Sequence, residues 1–292
     1  MNTETKHTKA CVIGWPVAQS LSPLIHQHWM QKHGIEGSYE AIAVDHGDLE
    51  KFLGGLRDDG MVGANVTIPH KQAVLNLVDD LSPTARSTGA VNTVIVAPNG
   101  HLSGLNTDGA GFINWLEEAA PGWQAGQAPA LVLGAGGAAR AIVAALLAAG
   151  VNELRLANRS TANAQALKDA AGSKATAVMP WDNRAAAARG AGLLVNTTPL
   201  GMTAMPPLEI DLSGLAPGAV VYDIVYAPLE TELLSTARAG GFTAVDGLGM
   251  LCHQAALAFE AWFGVLPAVD SELRAKLEQA LDGSARGSGQ TT

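Results

Sequence analysis

Residues 134–140 read GAGGAAR directly after the apolar run Ala130–Leu133. A short apolar strand that breaks into glycines and then opens an alanine-rich helix is the signature of a βαβ dinucleotide site. Gly134 permits the tight turn, Gly136 lets the backbone approach a pyrophosphate, and the helix opening near Gly137 presents unpaired N–H groups to phosphate oxygens. At the end of a second strand, read over 153–157, the chain has Asn158, Arg159 and Ser160 where an acid that grips a ribose 2′-OH would stand. An arginine there pairs bidentately with a 2′-phosphate, so the pattern predicts NADP rather than NAD. The plainer alternative is a small-residue turn with a surface arginine beyond it. The preceding strand, a helix over 138–149 and the second strand at the right distance argue against that.

The chain has 292 residues, enough for about two domains. Eighteen basic against 27 acidic residues give a net charge of −9, which argues against nucleic acid, whose affinity comes from lysine and arginine on phosphates. Cys11 and Cys252 are the two cysteines, too few for a disulfide framework and without metal-ligand neighbours at useful spacing, so no metal is expected. The polar opening MNTETKHTKA lacks an apolar signal core, and the longest apolar stretches, such as 141–149, are too short to span a bilayer. A cytoplasmic protein is expected. The last ten residues, GSARGSGQTT, are small and polar and predict an unstructured tail.

Short β-rich runs alternate with helical ones from Lys9 onward. Strands are read at 10–13, 39–44, 63–67, 90–96 and 102–105, and helices at 23–32, after Asp48 and around Pro69. A helix over 109–119 leads into the connector PGWQAGQAPA. Beyond the glycine loop follow strands at 192–196, 219–223 and 243–246, helices at 183–189 and 230–239, and a long helix after Gly249. Apolar residues at 251, 255, 258, 259 and 262 suggest that this last helix returns to the first lobe. The fold class is α/β with two domains: a discontinuous first domain (1–108 and 248–292) and a Rossmann-type dinucleotide-binding domain (109–247).

Several polar residues sit where chemistry needs them. Lys71, in NVTIPHK, falls in the first turn of the expected helix, a poor place for a cation unless it has work to do. Asp108, in NTDG, supplies a carboxylate at a turn, and a helix cap is its plain alternative. Together they offer what carbonyl reduction needs, a proton donor and an anion to hold it. Ser20 and Ser22, on an extended segment after Gly14, would hold a carboxylate through charge-assisted bonds, although Ser22 before Pro23 also suits a cap. Asn92 lies in an apolar run and must find hydrogen-bond partners if buried. Gln254 on the last long helix either meets a polar ligand or faces water. His26, His70 and His253 show no metal-binding spacing and read as structural, and the six tryptophans as filler.

Taken in order, SLSPLIH, NVTIPHK, GAVNT, NTDG, GAGGAAR, NRS, NTTPLGM, YDIVYAPLET and GLGMLCHQAALAFEAW resemble the shikimate dehydrogenase family over about residues 10–265. The resemblance implies two α/β domains flanking a cleft and reversible NADPH-dependent reduction of 3-dehydroshikimate to shikimate. It assigns Lys71 and Asp108 to a catalytic dyad, and Ser20, Ser22, Thr67, Asn92, Tyr226 and Gln254 to substrate. Gly134, Ala135, Gly136, Gly137, Ala138, Asn158, Arg159 and Thr197 map to the cofactor, with Gly247 and Met250 near the nicotinamide.

Two departures stand out. Gln27 replaces the asparagine the family often has after the histidine. Asn163 replaces a second basic residue, which weakens the 2′-phosphate clamp and leaves Ser160 to help as a hydroxyl donor. Other readings are a quinate or dual quinate/shikimate enzyme using NAD, and a non-catalytic sensor of shikimate-like metabolites. The presence of Lys71 and Asp108 speaks against the sensor, and Arg159 without an adjacent acid against the NAD enzyme. A dehydrogenase of the methylenetetrahydrofolate type does not fit the serine pair and NTDG. A monomer or homodimer is expected.

Overall fold

The computed structural model describes residues 7–287, with side chains to residue 283, and divides into two compact units. The first takes the chain up to Thr107 together with Gln254–Ala280, and the second takes Asp108–His253 with the residues from Leu281 on.

In the first unit the chain forms β1 (Thr8–Gly14), α1 (Ser22–Lys32), β2 (Gly37–Ala43), α2 (Leu49–Leu56), β3 (Met61–Val66), β4 (Asp80–Leu81), α3 (Pro83–Thr88), β5 (Thr93–Val96) and β6 (Leu102–Leu105). They make one six-stranded sheet in the order β2-β1-β3-β5-β6-β4. β1, β2 and β3 run parallel, as short βαβ crossovers require, while β5 turns antiparallel to both β3 and β6. Cys11, Ile13, Val66, Val94 and Leu102 from the strands meet Leu49, Leu53 and Leu56 of α2 in one core. Burying each leucine stabilises by about 1.5–3 kcal/mol.

The second unit runs α4 (Asp108–Ala119), β7 (Ala130–Leu133), α5 (Gly137–Ala148), β8 (Leu154–Asn158), α6 (Thr161–Ala171), β9 (Thr176–Pro180), α7 (Arg184–Ala187), β10 (Leu193–Asn196), β11 (Val220–Asp223), α8 (Glu232–Ala239) and β12 (Thr243–Val245). All six strands are parallel in the order β9-β8-β7-β10-β11-β12. Counted from β7, that is the 3-2-1-4-5-6 order of a doubly wound nucleotide-binding sheet, with the switch point between β7 and β10. Both faces are covered. Ala130 and Val132 of β7 face the core made with α4 and α5, and Leu131 and Leu133 face the one made with α7 and α8. That explains why β7 reads as a continuous apolar run rather than an alternating one.

Two further helices, α9 (Gly247–Phe263) and α10 (Ser271–Gly287), close the chain. Within the first unit, Phe259 and Trp262 of α9 join His26, Trp29 and Tyr39 in an aromatic cluster. His26 is fully buried there, stacked on Tyr39 at 4.1 Å, and desolvation, only partly offset by nearby Asn65, holds its pKa down to about 3.

The tryptophans are more than filler. Trp29, Trp115 and Trp262 donate their indole N–H groups to the carbonyls of Ala268, Asp246 and Val94.

Other expectations need correction. No helix forms around Pro69. Residues 68–72 are turn and one 3₁₀ turn, Ala73–Asn76, follows, because the Lys71 carbonyl accepts from Val91 N at 2.8 Å and Leu75 N bonds Gln72 instead. The strand expected from residue 90 begins at Thr93. Residues 283–287 are the end of α10, a helix anchored by buried Leu273 and Leu277, and not part of an unstructured tail. The outermost residues, 1–6 and 288–292, lie outside the described part.

Candidate active site

In the first unit the expected substrate residues gather around the C-terminal ends of β1 and β3. Thr67 follows β3 and its N–H donates to Ile13 O at 2.9 Å. The segment holding the two serines is a tight turn, not extended: Leu21 is in the αR region, and Ser22 N donates to Ser20 Oγ at 3.3 Å. Ser22 is the first residue of α1 and is 5% exposed. The N-cap is Leu21, which makes no side-chain cap, so Ser22 is not a capping serine. Lys71 sits half-buried in the turn after β3, so the helix-dipole argument for it falls away. Beside it His70 is fully buried and its Nε2–H donates to Val44 O at 2.7 Å, which anchors the turn.

Asn92 is 2% exposed and the protein itself supplies partners. Its Oδ1 accepts from Thr107 N at 2.9 Å and from Thr93 Oγ1 at 3.0 Å. Its Nδ2 donates to Thr107 Oγ1 at 2.9 Å and to Gln254 Oε1 at 3.3 Å. Gln254 is thereby tied to Asn92 instead of facing water. Tyr39, Asn65, Thr93 and Thr107 extend this network and were not anticipated. In one sequence a buried threonine or asparagine looks like an exposed one.

In the second unit Asp108 opens α4 and is 5% exposed. The glycine loop leaves β7 at Gly134, whose φ of +114° suits glycine alone and where a Cβ would stand 2.3 Å from Thr197 Oγ1. Thr197, just past β10, donates both its N–H and its hydroxyl to Leu133 O. Gly134 and Thr197 therefore flank the switch point. Around Gly136, the N-cap of α5, a Cβ would meet no protein atom, so the protein's own packing does not demand glycine there. The cap is without a side-chain hydrogen bond and the first turn without an acid, leaving room for an anion.

Asn158 ends β8 and its Nδ2 donates to Ser160 O at 2.9 Å. Arg159 is exposed and forms no hydrogen bond or ion pair among the described residues. Ser160 caps α6 by accepting from Asn163 N at 3.3 Å, which leaves its own proton to donate. Tyr226 is half-buried and its phenol pKa is raised by burial. Gly247, the first residue of α9, lies so close to Ile224 O that a Cβ would stand 2.1 Å from it, and Met250 is buried, 7% exposed. These features fit a phosphate-bearing dinucleotide at the end of β7 and β8.

One group of possible metal ligands occurs among the described residues: His28, Asp270 and Glu272, with donor atoms within 4.8 Å of one another. Lys32 pairs with Asp270 and Lys276 with Glu272, so ammonium groups already supply the positive charge.

Comparison with known proteins agrees with this geometry. The profile of the shikimate dehydrogenase substrate binding domain matches residues 12–94, that of shikimate/quinate 5-dehydrogenase residues 117–199, and that of the shikimate 5′-dehydrogenase C-terminal domain residues 247–271. Shikimate dehydrogenase (NADP(+)) of Rhodospirillum rubrum is 52% identical over 269 residues, 91% of this chain and 95% of the relative. The chain belongs to the shikimate dehydrogenase family.

Solved members of the shikimate dehydrogenase family share the fold. Shikimate 5-dehydrogenase from Thermus thermophilus, in complex with NADP(H) and shikimate, superposes with a TM-score of 0.82 at 38% identity, covering 94% of this chain and 98% of that one. Quinate dehydrogenase from Corynebacterium glutamicum, in complex with NAD, gives 0.85 at 36% identity over 93% and 98%. Gln27 is exposed and its Nε2 donates to Tyr39 O at 3.1 Å, a backbone role. No helix among the described residues is long and apolar enough to cross a membrane.

Proposed function

We propose that this chain catalyses the reversible NADPH-dependent reduction of 3-dehydroshikimate to shikimate. The observation that carries the reading is a cluster of Asn92, Thr107 and Gln254 in the first unit, next to Val91 whose N–H holds the Lys71 carbonyl, together with a doubly wound second unit whose Arg159 stands exposed beyond β8. The functional domains are 1–108 with 248–292 for substrate and 109–247 for cofactor.

Ser20 and Ser22 bind the substrate carboxylate, and Thr67, Asn92, Tyr226 and Gln254 bind its hydroxyl groups. Lys71 delivers a proton to the ketone oxygen during reduction and takes it back from the alcohol during oxidation. Asp108 holds and orients that lysine. Positioned proton transfer of this kind contributes about 10²–10⁴ in rate. NADP, when bound, supplies the hydride chemistry. Gly134, Ala135, Gly136, Gly137 and Ala138 hold its pyrophosphate, Asn158, Arg159 and Ser160 its 2′-phosphorylated ribose, and Thr197, Gly247 and Met250 the nicotinamide end.

With Asn163 in place of a second basic residue, Arg159 and Ser160 carry the preference for NADP. The protein works in the cytoplasm as a monomer or homodimer. Incubating purified protein with shikimate and NADP, and identifying the product, tests the reading. Formation of 3-dehydroshikimate with one NADPH per molecule is expected, and its absence in the presence of bound shikimate would overturn the reading in favour of a sensor.

A further inference from the structure

Behind the substrate residues of the first unit runs a chain of buried hydrogen bonds. Tyr39 Oη lies 2.6 Å from Asn65 Oδ1, and Asn65 Nδ2 reaches Thr93 Oγ1 at 3.2 Å and Asn92 O at 3.3 Å. Thr93 Oγ1 reaches Asn92 Oδ1 at 3.0 Å, and Asn92 Nδ2 reaches Gln254. Tyr39, Asn65, Thr93 and Asn92 are each 5% exposed or less.

Elementary donor and acceptor rules set the direction of every link. The Asn92 carbonyl only accepts, so Asn65 turns its nitrogen toward it and its oxygen toward Tyr39. The phenol must then donate. Thr107 N only donates, so Asn92 turns its oxygen toward it, and its nitrogen is left for Thr107 Oγ1 and Gln254 Oε1. Thr93 accepts from Asn65 and passes its own proton to Asn92 Oδ1. With its proton committed, the phenol offers lone pairs alone. One oriented chain thus links Tyr39, Asn65, Thr93, Asn92 and Gln254, residues far apart in sequence.

We infer that Tyr39 and Thr93 are positioning residues for shikimate binding, which, through Asn65 and directly, hold the Asn92 amide in the orientation the substrate meets. Neither needs to touch the substrate. Tyr39 is 1% exposed and Thr93 is fully buried. Removing the phenol hydroxyl leaves Asn65 Oδ1 buried without its donor, and turning the amide would only set that oxygen against the Asn92 carbonyl, which itself needs a donor. Removing the Thr93 hydroxyl cuts the same chain one link nearer to Asn92.

The inference rests on the assignment of Asn92 to substrate, and the test separates the two. KM for shikimate and for NADP is measured in Tyr39→Phe, Thr93→Val, Thr93→Ser and Asn92→Ala. The first two are expected to raise KM for shikimate about tenfold, the size of one unsatisfied buried polar group, with KM for NADP within about twofold of wild type. Thr93→Ser, which keeps the hydroxyl, is expected to behave like wild type. General loosening of the fold would move both Michaelis constants and would not distinguish serine from valine. Thr93→Val preserves side-chain volume and keeps the test decisive should Tyr39→Phe fail to fold. A raised KM in Asn92→Ala with wild-type values in Tyr39→Phe and Thr93→Val would overturn the inference alone. An unchanged KM in Asn92→Ala would overturn the substrate assignment beneath it.

Discussion

Asn196 Nδ2 donates to Asp223 Oδ1 at 2.9 Å, joining the C-terminal ends of β10 and β11, where the two residues are partners in register. The same carboxylate accepts from Val225 N at 3.1 Å and from the Thr231 hydroxyl at 2.7 Å. Asp223 therefore ties together the loop bearing Thr197, the segment bearing Tyr226 and the cap of α8.

Burial, against the pull of these three hydrogen bonds, pushes the Asp223 pKa up to about 6. An acid with a raised folded-state pKa contributes stability that is fully present below its unfolded pKa, near 4, and lost as pH rises through the folded value. Asp223→Asn should lack this decline, which amounts to about 3 kcal/mol between roughly pH 4 and pH 6. Urea unfolding across that range, on wild type and variant, checks it. Parallel profiles would contradict it.

Gly134 and Gly136 lie two residues apart yet should fail differently. Gly134→Ala forces a side chain into φ of +114° and against Thr197, and is expected to destabilise the protein by more than about 2 kcal/mol. Gly136→Ala meets open space in extended backbone, so stability should fall by less than about 1 kcal/mol while NADP affinity drops at least tenfold. Thermal unfolding paired with cofactor titration distinguishes the two. An unchanged NADP affinity in Gly136→Ala would move the pyrophosphate elsewhere.

Arg159→Ala should raise KM for NADP by about tenfold or more and KM for NAD by less than about twofold, since a guanidinium bonded to phosphate is worth about 1.5–3 kcal/mol. Steady-state kinetics with both cofactors checks this. Equal effects on both would sink the 2′-phosphate assignment.

Lys71→Ala is expected to leave unfolding and NADP binding near wild type while lowering kcat by about 10²–10⁴. Single-turnover rates with saturating substrate separate the chemical step from binding. Turnover close to wild type would remove the lysine from the mechanism.

Most of the nucleotide-binding unit was legible in the sequence, because its signals are local. A four-residue apolar strand, a glycine that needs positive φ and an alanine-rich helix follow one another within 20 residues. The turn at Lys71 was not legible as a turn. Whether 68–72 wind into a helix depends on the Lys71 carbonyl finding Val91 N, twenty residues on. The orientation of Ser20 and Ser22 is hidden for a related reason, since the αR conformation of Leu21 that brings Ser22 N to Ser20 Oγ is not marked by residue type. Asn92 was recognised as needing partners, but which partners it takes, Thr93, Thr107 and Gln254, depends on tertiary pairing that no local pattern encodes.

The most direct test compares four specificity constants, kcat/KM for shikimate and for quinate, each with NADP and with NAD, followed through the absorbance of the reduced nicotinamide. The account predicts that the shikimate and NADP combination dominates the other three. A quinate or NAD rate equal to or greater than it would contradict the account and place the chain among the quinate-oxidising members of the family.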